Sequence, residues 1–386
     1  MTVHARSGAS TATDPRVAAR ELHAAIGTPD AAITIFYCSP AYNLDELGTA
    51  LAELFGADAP MIGCTTAGEI SPLGYLEGSI TGVSLSGQGL LVQSALVEDL
   101  RNFEFSRGDT AAISAIQALE GRGIAVSGTT CFGFLLADGL SMQEEALVSA
   151  IYRNLGDIQL FGGSAGDGVR FGATHLYFQG RFRTDCAIFT LVASPDPFMV
   201  FKTEHFVPSN KKMVVTGADP ARRIVTEING EPAGLEYARM VGLEVDKLTP
   251  LIFSTHPVVV RVGDGTFVRS IQKVNDDGSL TFFCAIDEGI VLTVASGVDL
   301  VRNLEEAFDQ VRARLGNPTV VLGCDCILRF LETGQREIRT RVGEIFAANN
   351  VIGFSTYGEQ FNAMHVNQTF TGVAIGAPVI GRDGGA

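Results

Sequence analysis

Short apolar runs recur along the chain, and each is followed by residues at helical spacing. The run 33–38 (ITIFYC) is rich in β-branched and aromatic residues, which predicts a buried strand. Ahead of it, Thr13-Asp14-Pro15 offers a capping oxygen and a first-turn proline, and Gly27 a stop, so a helix precedes the strand. Leu44, Leu47, Leu51, Leu54 and Phe55 fall on one face of a second helix, opened by Asn43 or Asp45 and ended by Gly56. A second strand ends in Met61-Ile62-Gly63 and leads into CTTAGEI. The order returns with 131–137 (CFGFLLA), then a helix to Tyr152 with Ser141 as cap and Glu144 in capping-box position, then 158–161 before GGSAGDG. It returns again with 319–323, a helical stretch over 335–348, and Val351-Ile352 before GFSTYGEQ.

The three turns align as Gly63-CTTAG-Glu69, Gly162-GSAG-Asp167 and Gly353-FSTYG-Glu359, and β-type sequence follows each one. This is an internal repeat. Between the second and third copies the texture becomes β-rich. A strand pair is expected at 214–216 and 223–228, a tight turn at Asn229-Gly230 and a helix over 232–241. Strands follow at 257–262, 267–273, 280–285 and 290–294, with a hairpin turn at Asp276-Asp277-Gly278. The expected fold class is α/β, with two domains built on repeated strand–helix–strand units and a β-rich segment added to the C-terminal half. Residues 1–12 read as a flexible tail. The boundary is placed at 208/209, where FVPSNKK is polar and carries a proline.

Composition supports this picture. The 386 residues exceed one ordinary core, and 46% apolar against 18% charged leaves ample buried material. The N-terminal stretch has no apolar signal region and no run approaches the roughly 18 apolar residues of a membrane helix, so a cytoplasmic location is expected. A net charge of −15 without a Lys/Arg block argues against nucleic acid and anionic membranes as partners. The seven cysteines are an odd set lying mostly in apolar runs, and read as buried thiols.

Each chemical motif has a plainer structural reading. GGSAG fits the nucleophile-elbow pattern, but no helix follows Ser164 directly, so a tight turn is the better account. Cys324-x-Cys326 is too short for a zinc knuckle and reads as a packed strand end. A carboxylate after a glycine turn commonly accepts backbone N–H bonds, and repetition favours that stapling role for at least two of Glu69, Asp167 and Glu359. Among the histidines, His205, His256 and His365 lie at a boundary, a strand mouth and beyond the third turn, where an imidazole could serve as a ligand.

The turns CTTAGE, GGSAGD and GFSTYGEQ, together with VTEINGEPAGLEYA and CDCILR, resemble the FIST family of paired FIST N and FIST C domains. The likeness runs from about Asp14 to about Pro378, and GFSTYGE with Asn367 and Thr369 is its most specific part. The resemblance implies a FIST N-like domain over 13–208 and a FIST C-like domain over 209–386. It also implies a sensory input function, with a small-molecule ligand and output to a separate histidine kinase or cyclic-di-GMP signalling protein. A homo-oligomer is compatible with this.

The runs EHFVPSNKKMVVT, HPVVVRVGDGTFVRSIQKVN and GCDCILRFLE are similar to a narrower, NosP-type branch that binds haem and senses nitric oxide. That likeness implies haem b, with one of His205, His256 and His365 as axial ligand. Arg222-Arg223 or Arg329 would meet the propionates, and an interdomain pocket would bring His205 and His256 together. The alternative is a sensor of a small polar ligand such as an amino acid, held by Thr356, Tyr357, Glu359 and Asn367. A hydrolase acting through Ser164 is the third reading. The third turn is the best candidate to face a ligand, because it alone carries a tyrosine and lies nearest His365 and Asn367.

Overall fold

The computed structural model describes residues 2–262 and 265–376. The first copy of the repeat consists of β1 (His4–Ser10), α1 (Pro15–Ile26), β2 (Ala31–Cys38), α2 (Leu44–Phe55), β3 (Met61–Thr65), the hairpin β4 (Glu69–Ser71) and β5 (Gly74–Leu76), and β6 (Ile80–Ser86). The second consists of β7 (Leu91–Glu98), α3 (Phe105–Glu120), β8 (Cys131–Ala137), α4 (Glu144–Tyr152), β9 (Leu160–Ser164), β10 (Leu176–Phe178) with β11 (Arg181–Arg183), and β12 (Cys186–Ala193). The third opens with β13 (Phe198–Glu204) and is then interrupted. The interruption holds β14 (Phe206–Asp219), β15 (Ile224–Ile228), β16 (Glu231–Pro232), α5 (Ala233–Val241), α6 (Pro250–Thr255), β17 (Val258–Val262), β18 (Gly265–Arg269), β19 (Ile271–Val274), β20 (Leu280–Phe282) and β21 (Val291–Gly297). The copy resumes with α7 (Leu300–Leu315), β22 (Pro318–Cys326), α8 (Ile327–Gln335), α9 (Arg339–Ala348), β23 (Val351–Thr356), β24 (Glu359–Phe361) with β25 (Met364–Val366), and β26 (Thr369–Gly376).

The helices start where local chemistry allows. Asp14 and Asn43 accept from the backbone N–H of Val17 and Glu46, as N-caps do. Ser141 does not cap α4 in the expected capping box. Its hydroxyl accepts from Gln143, the helix begins at Glu144, and that carboxylate is drawn to Arg223 instead. The helix expected over 335–348 starts later, at Arg339, and a separate helix that was not expected, Ile327–Gln335, precedes it.

Each copy forms the core of one sheet, and each sheet is completed by a hairpin from another copy. The orders are β1-β6-β2-β3-β10-β11, β25-β24-β9-β8-β12-β7 and β13-β26-β22-β23-β4-β5. The first copy donates its hairpin to the third, the second to the first, and the third to the second. In each sheet a helical crossover joins one parallel pair, β2–β3, β8–β9 or β22–β23, as parallel pairing requires. The register aligns Gly63, Gly162 and Gly353 opposite Phe36, Leu135 and Gly323. A Cβ at these glycines would stand 2.6, 2.1 and 2.0 Å from the facing carbonyl oxygen. Close backbone approach, repeated three times, is why the first glycine of every turn is fixed.

The inner faces of the three sheets share one core that includes Ile35, Tyr37, Phe134, Phe161, Leu322 and Phe354. Tyr37 stacks on Phe354 at 4.6 Å and Phe134 on Phe161 at 4.8 Å. The outer faces are covered by α1 and α2, by α3 and α4, and by α7 and α9, each with its own apolar cluster. The inserted segment has a separate core around Val225, Tyr237, Phe253 and Leu292.

Two expectations are corrected. Residues 4–10 are not a tail, because β1 pairs with β6 along its whole length, from His4↔Ser86 to Ser10↔Ile80. Main-chain bonding holds this segment, and its polar side chains gave no sign of it. The chain does not divide at 208/209. β13 pairs with β26 of the third sheet, and FVPSNKK lies inside β14, whose pairing with β21 breaks register between Pro208 and Lys212. A proline without an N–H suits such a break.

Candidate functional site

All three glycine turns lie at the C-terminal ends of the parallel strands, where α/β sheets usually place ligands. They also bond to one another. Ala67 donates to Ser355 O and Ser355 to Gly68 O, at 2.9 and 2.7 Å. Gly166 donates to Thr65 O at 3.0 Å, and Ser164 to Gly358 O at 2.9 Å. The acids hold this knot. Glu69 accepts from Thr66 Oγ1 at 2.6 Å and from Ser79 N and Oγ at 3.2 and 2.7 Å, and burial pushes its carboxyl up to about 7. Glu359 accepts from Thr369 N and Oγ1 at 3.1 and 2.7 Å, the same spacing along the chain, and burial drives its carboxyl well above the usual range. Asp167 accepts from the N–H groups of Phe171, Gly172 and Ala173 at 2.8, 2.8 and 3.0 Å. Burial would raise its carboxyl, but these bonds and the Tyr357 hydroxyl together hold it below the ordinary value.

Thr356 and Tyr357 serve the same knot. Thr356 Oγ1 donates to Gly358 O at 2.7 Å and accepts from Ser164 N at 2.9 Å. The Tyr357 hydroxyl reaches the second turn, where it donates to the Asp167 carboxylate and accepts from Asp167 N at 3.0 Å. Its ring lies 4.8 Å from Phe171 and 6.1 Å from Phe283. Thr356 and Tyr357 thus bond to the turns themselves, while Glu359 ties the third turn to Thr369 through Oε2 and keeps Oε1 buried without a partner.

Asn367, the fourth, belongs to a different surface. Gln360 faces His365 across the third hairpin, and strand alternation puts Asn367 on the same side, while Glu359 pairs with Val366 on the reverse side. A Cβ on Gly358 would lie 2.2 Å from His365 Cε1 and 3.0 Å from Asn367 Nδ2, so both side chains flank that glycine. His365 Nε2, Gln360 Oε1 and both amide atoms of Asn367 are buried without a hydrogen-bond partner. The other Gln360 atom donates to Ser164 Oγ at 3.0 Å. Burial pushes the His365 imidazole below its ordinary value; Glu145 and Glu144 oppose this, while Arg223 and Arg269 reinforce it. Arg223 binds Glu144 and Glu145 at 2.7 and 2.5 Å and the Phe283 carbonyl at 2.6 Å. The site therefore offers a neutral imidazole and two carboxamides beside paired charges of both signs.

The sequence reading missed Gln360, Glu144, Glu145 and Arg269 here, and named Arg223 only as a partner for haem propionates. A signal existed. Where the third hairpin pairs Gln360 with His365, the first pairs Ile70 with Tyr75 and the second Tyr177 with Phe182. Only one of these three cross-strand pairs is a buried pair of polar groups without an aromatic ring of the Tyr or Phe type.

His205 lies elsewhere. Its Nδ1 accepts from Arg329 Nη1 at 2.9 Å, so the proton sits on Nε2, which donates to Glu332 Oε2 at 2.8 Å. Arg329 Nε also donates to Asp325 Oδ1 at 2.7 Å, and the Tyr75 hydroxyl meets the other Asp325 oxygen. Burial pushes His205 down to about 4 from its ordinary 6.5. The unfolded chain then binds the extra proton between these values, so stability from this group is full above 6.5 and lost as pH falls toward 4. Glu69 acts with opposite sign: its contribution is full below its ordinary 4.5 and lost as pH rises to about 7. In His205→Gln the Glu69 contribution is left alone, so its urea midpoint should rise, relative to wild type, as pH drops from about 6.5 to 4.5. Parallel profiles for the two proteins would remove His205 as the source.

His256 caps the C-terminus of α6, is half-buried and bonds through Nδ1 to Thr255 Oγ1 at 2.9 Å. It shares no hydrogen-bond partner with His205. A haem needs an imidazole nitrogen facing a large apolar cavity and cations free for its propionates. Both His205 nitrogens are engaged, Arg329 and Arg223 are paired with carboxylates, and His365 stands among charged and polar groups. His205, His365, Arg223 and Arg329 do not fit a haem. Cys324 and Cys326 are buried, with their thiols pushed well above the ordinary value by that burial. Among the described residues no group of His, Cys, Asp and Glu could hold a metal ion, and no helix is long and apolar enough to cross a membrane.

Comparison with known proteins matches the FIST N domain to residues 32–231 and the FIST C domain to residues 233–362. The junction falls within the inserted segment, so each of the two domains contains part of the third copy. A relative, Uncharacterized protein MJ1623 of Methanocaldococcus jannaschii, is 22% identical over 281 residues, which is 62% of this chain and 53% of that protein. The chain thus spans about half the length of this relative. With matches to both domains across most of its length, the chain belongs to the FIST family of signal-transduction sensor domains.

Proposed function

We propose that the chain senses a small zwitterionic molecule of the amino-acid class at the third hairpin, with Gln360, His365 and Asn367 as its polar contacts. The observation that carries this reading is the Asn367 amide, buried with both atoms unpartnered beside an equally unpartnered His365 Nε2. Each such atom costs about 1–3 kcal/mol when nothing satisfies it, and a ligand amide, carboxylate or ammonium would do so. Glu145 and Arg223 supply both signs of charge nearby. The hairpin, α4 and the inserted sheet meet at these side chains, so occupancy would bias how they seat together, and a partner histidine kinase or cyclic-di-GMP signalling protein would read that bias.

Asn367→Leu separates binding from folding. The free variant should melt at or above the wild-type temperature, because it removes two unsatisfied groups. The stabilisation that a matching amino acid gives the wild type in a thermal-shift panel should vanish in it. An undiminished shift would place the ligand elsewhere. Haemin titration tests the haem b and nitric-oxide reading: a saturable one-to-one Soret band lost in His365→Ala would replace this proposal with a haem site, and no such band is expected. A hydrolase role for Ser164 requires a base on its hydroxyl, which instead accepts from Gln360.

A further inference from the structure

Arg269 reaches the third-hairpin site from the inserted sheet. The β17–β18 register sets it opposite Val258, and Phe267 opposite Val260, on one face of that sheet. This face looks toward the hairpin. Lys202 Nζ stands 5.3 Å from the centre of the Phe267 ring and 5.9 Å from that of Phe361 in β24, and β18 packs against β25. The charge of Arg269 accordingly acts on His365, and on Cys284 together with the charges of Glu145 and Arg223. The two guanidinium groups differ in one respect. Arg223 is engaged by Glu144, Glu145 and the Phe283 carbonyl. Arg269 Nε and Nη1 are buried and, among the described residues, have no hydrogen-bond partner. Buried guanidinium N–H groups left unsatisfied call for an anion. On the α4 side two carboxylates meet one guanidinium, which leaves a negative balance suited to an ammonium.

The neutral groups of the hairpin define the rest of the ligand. Gln360 Nε2 faces His365 Nδ1 at 3.5 Å, so the imidazole proton sits on Nε2. The four unpartnered atoms then divide evenly: His365 Nε2 and Asn367 Nδ2 donate, while Gln360 Oε1 and Asn367 Oδ1 accept. The two donors sit side by side, 2.6 and 3.0 Å from the place a Gly358 Cβ would take. A carboxamide answers both kinds, because its oxygen accepts and its NH2 donates. A carboxylate in its place would set lone pairs against two acceptors, and an aliphatic group would leave all four atoms unsatisfied.

We propose, resting on the amino-acid site assigned to this hairpin, that its ligand is an α-amino acid with a terminal carboxamide, the carboxylate held by Arg269 and the carboxamide by Gln360, His365 and Asn367. Arg269 is thus the residue that selects for a free carboxylate, and the three neutral side chains select the amide over the acid.

L-Glutamine and L-asparagine are the probes, titrated calorimetrically into the full chain, and one of them should bind once per chain. Its acid counterpart, L-glutamate or L-aspartate, should bind weaker by about tenfold or more, as should its α-amide, which lacks the carboxylate. In Arg269→Met the probe should fall to the affinity of the α-amide, and the α-amide should lose nothing further. The α-amide also reads the carboxylate contact in the wild-type chain, so that comparison holds even where the variant does not fold. Equal binding of the acid counterpart, equal binding of the α-amide, or full affinity in Arg269→Met would overturn the proposal. An amino acid without a carboxamide that binds, is lost in Asn367→Leu and is indifferent to Arg269→Met would overturn it while leaving the hairpin site in place. A probe that binds Asn367→Leu undiminished, or a panel in which no amino acid binds, would remove the hairpin site as well.

Discussion

Arg329→Met is expected to destabilise the folded chain by about 3–5 kcal/mol, seen as a lowered urea midpoint. Arg329 is 1% exposed and bridges Asp325, which is fully buried, to His205 and so to Glu332. Removing the guanidinium leaves Asp325 facing only the Tyr75 hydroxyl. It also takes the donor away from His205 Nδ1, so the tautomer that serves Glu332 loses its anchor. Burial already pushes the Asp325 carboxyl up, and Arg329 is what pulls it back. The double variant Asp325→Asn/Arg329→Met should recover part of the loss, because a neutral amide is cheaper to bury than an unpaired carboxylate. A single-variant loss below about 1 kcal/mol would show that the network is not holding α8 against β22 and β13.

Tyr357→Ala should cost about 3–5 kcal/mol through the lost ring volume, and Tyr357→Phe about 1–3 kcal/mol through the lost hydroxyl. The ring is 2% exposed between Phe171 and Phe283, and the hydroxyl serves both the backbone and the carboxylate of Asp167. The two losses separate packing from stapling. The midpoints should fall in the order wild type, phenylalanine, alanine. A phenylalanine variant as stable as the wild type would reduce Tyr357 to a space-filler.

The repeat was legible because its strands and helices carry local signals. The run 131–137 is β8 to the residue, and Asp14 and Asn43 cap the helices they announce. The joining of the copies was not legible. A three-residue strand such as Glu69–Ser71 looks the same whichever sheet it completes, and its partner in β23 is set by tertiary packing alone. The strand His4–Ser10 was hidden for a related reason, since its pairing uses backbone atoms that every residue has. At the site, Asn367 and His365 were visible as polar residues near the third turn. Gln360 gains its meaning only from its cross-strand register, and Glu144, Glu145, Arg223 and Arg269 arrive from α4 and the inserted segment. Thr356, Tyr357 and Glu359 misled because a hydroxyl or carboxylate that ties a turn has the same letters as one that meets a ligand.

The circular gift of hairpins also governs the order in which the protein can come into being. During synthesis the first copy emerges with its hairpin Glu69–Leu76 unpaired, and the strand that will receive it, Val351–Thr356, leaves the ribosome only after the whole second copy and the inserted segment. The second sheet waits likewise for β24 and β25, and only the first can close midway, once Leu176–Arg183 appears. Such long-range closures are slow steps in folding, and edges left open in the meantime invite intermolecular pairing. The nascent chain is therefore a natural client for chaperones until β22 to β26 are made, and the second and third sheets become complete together rather than domain by domain.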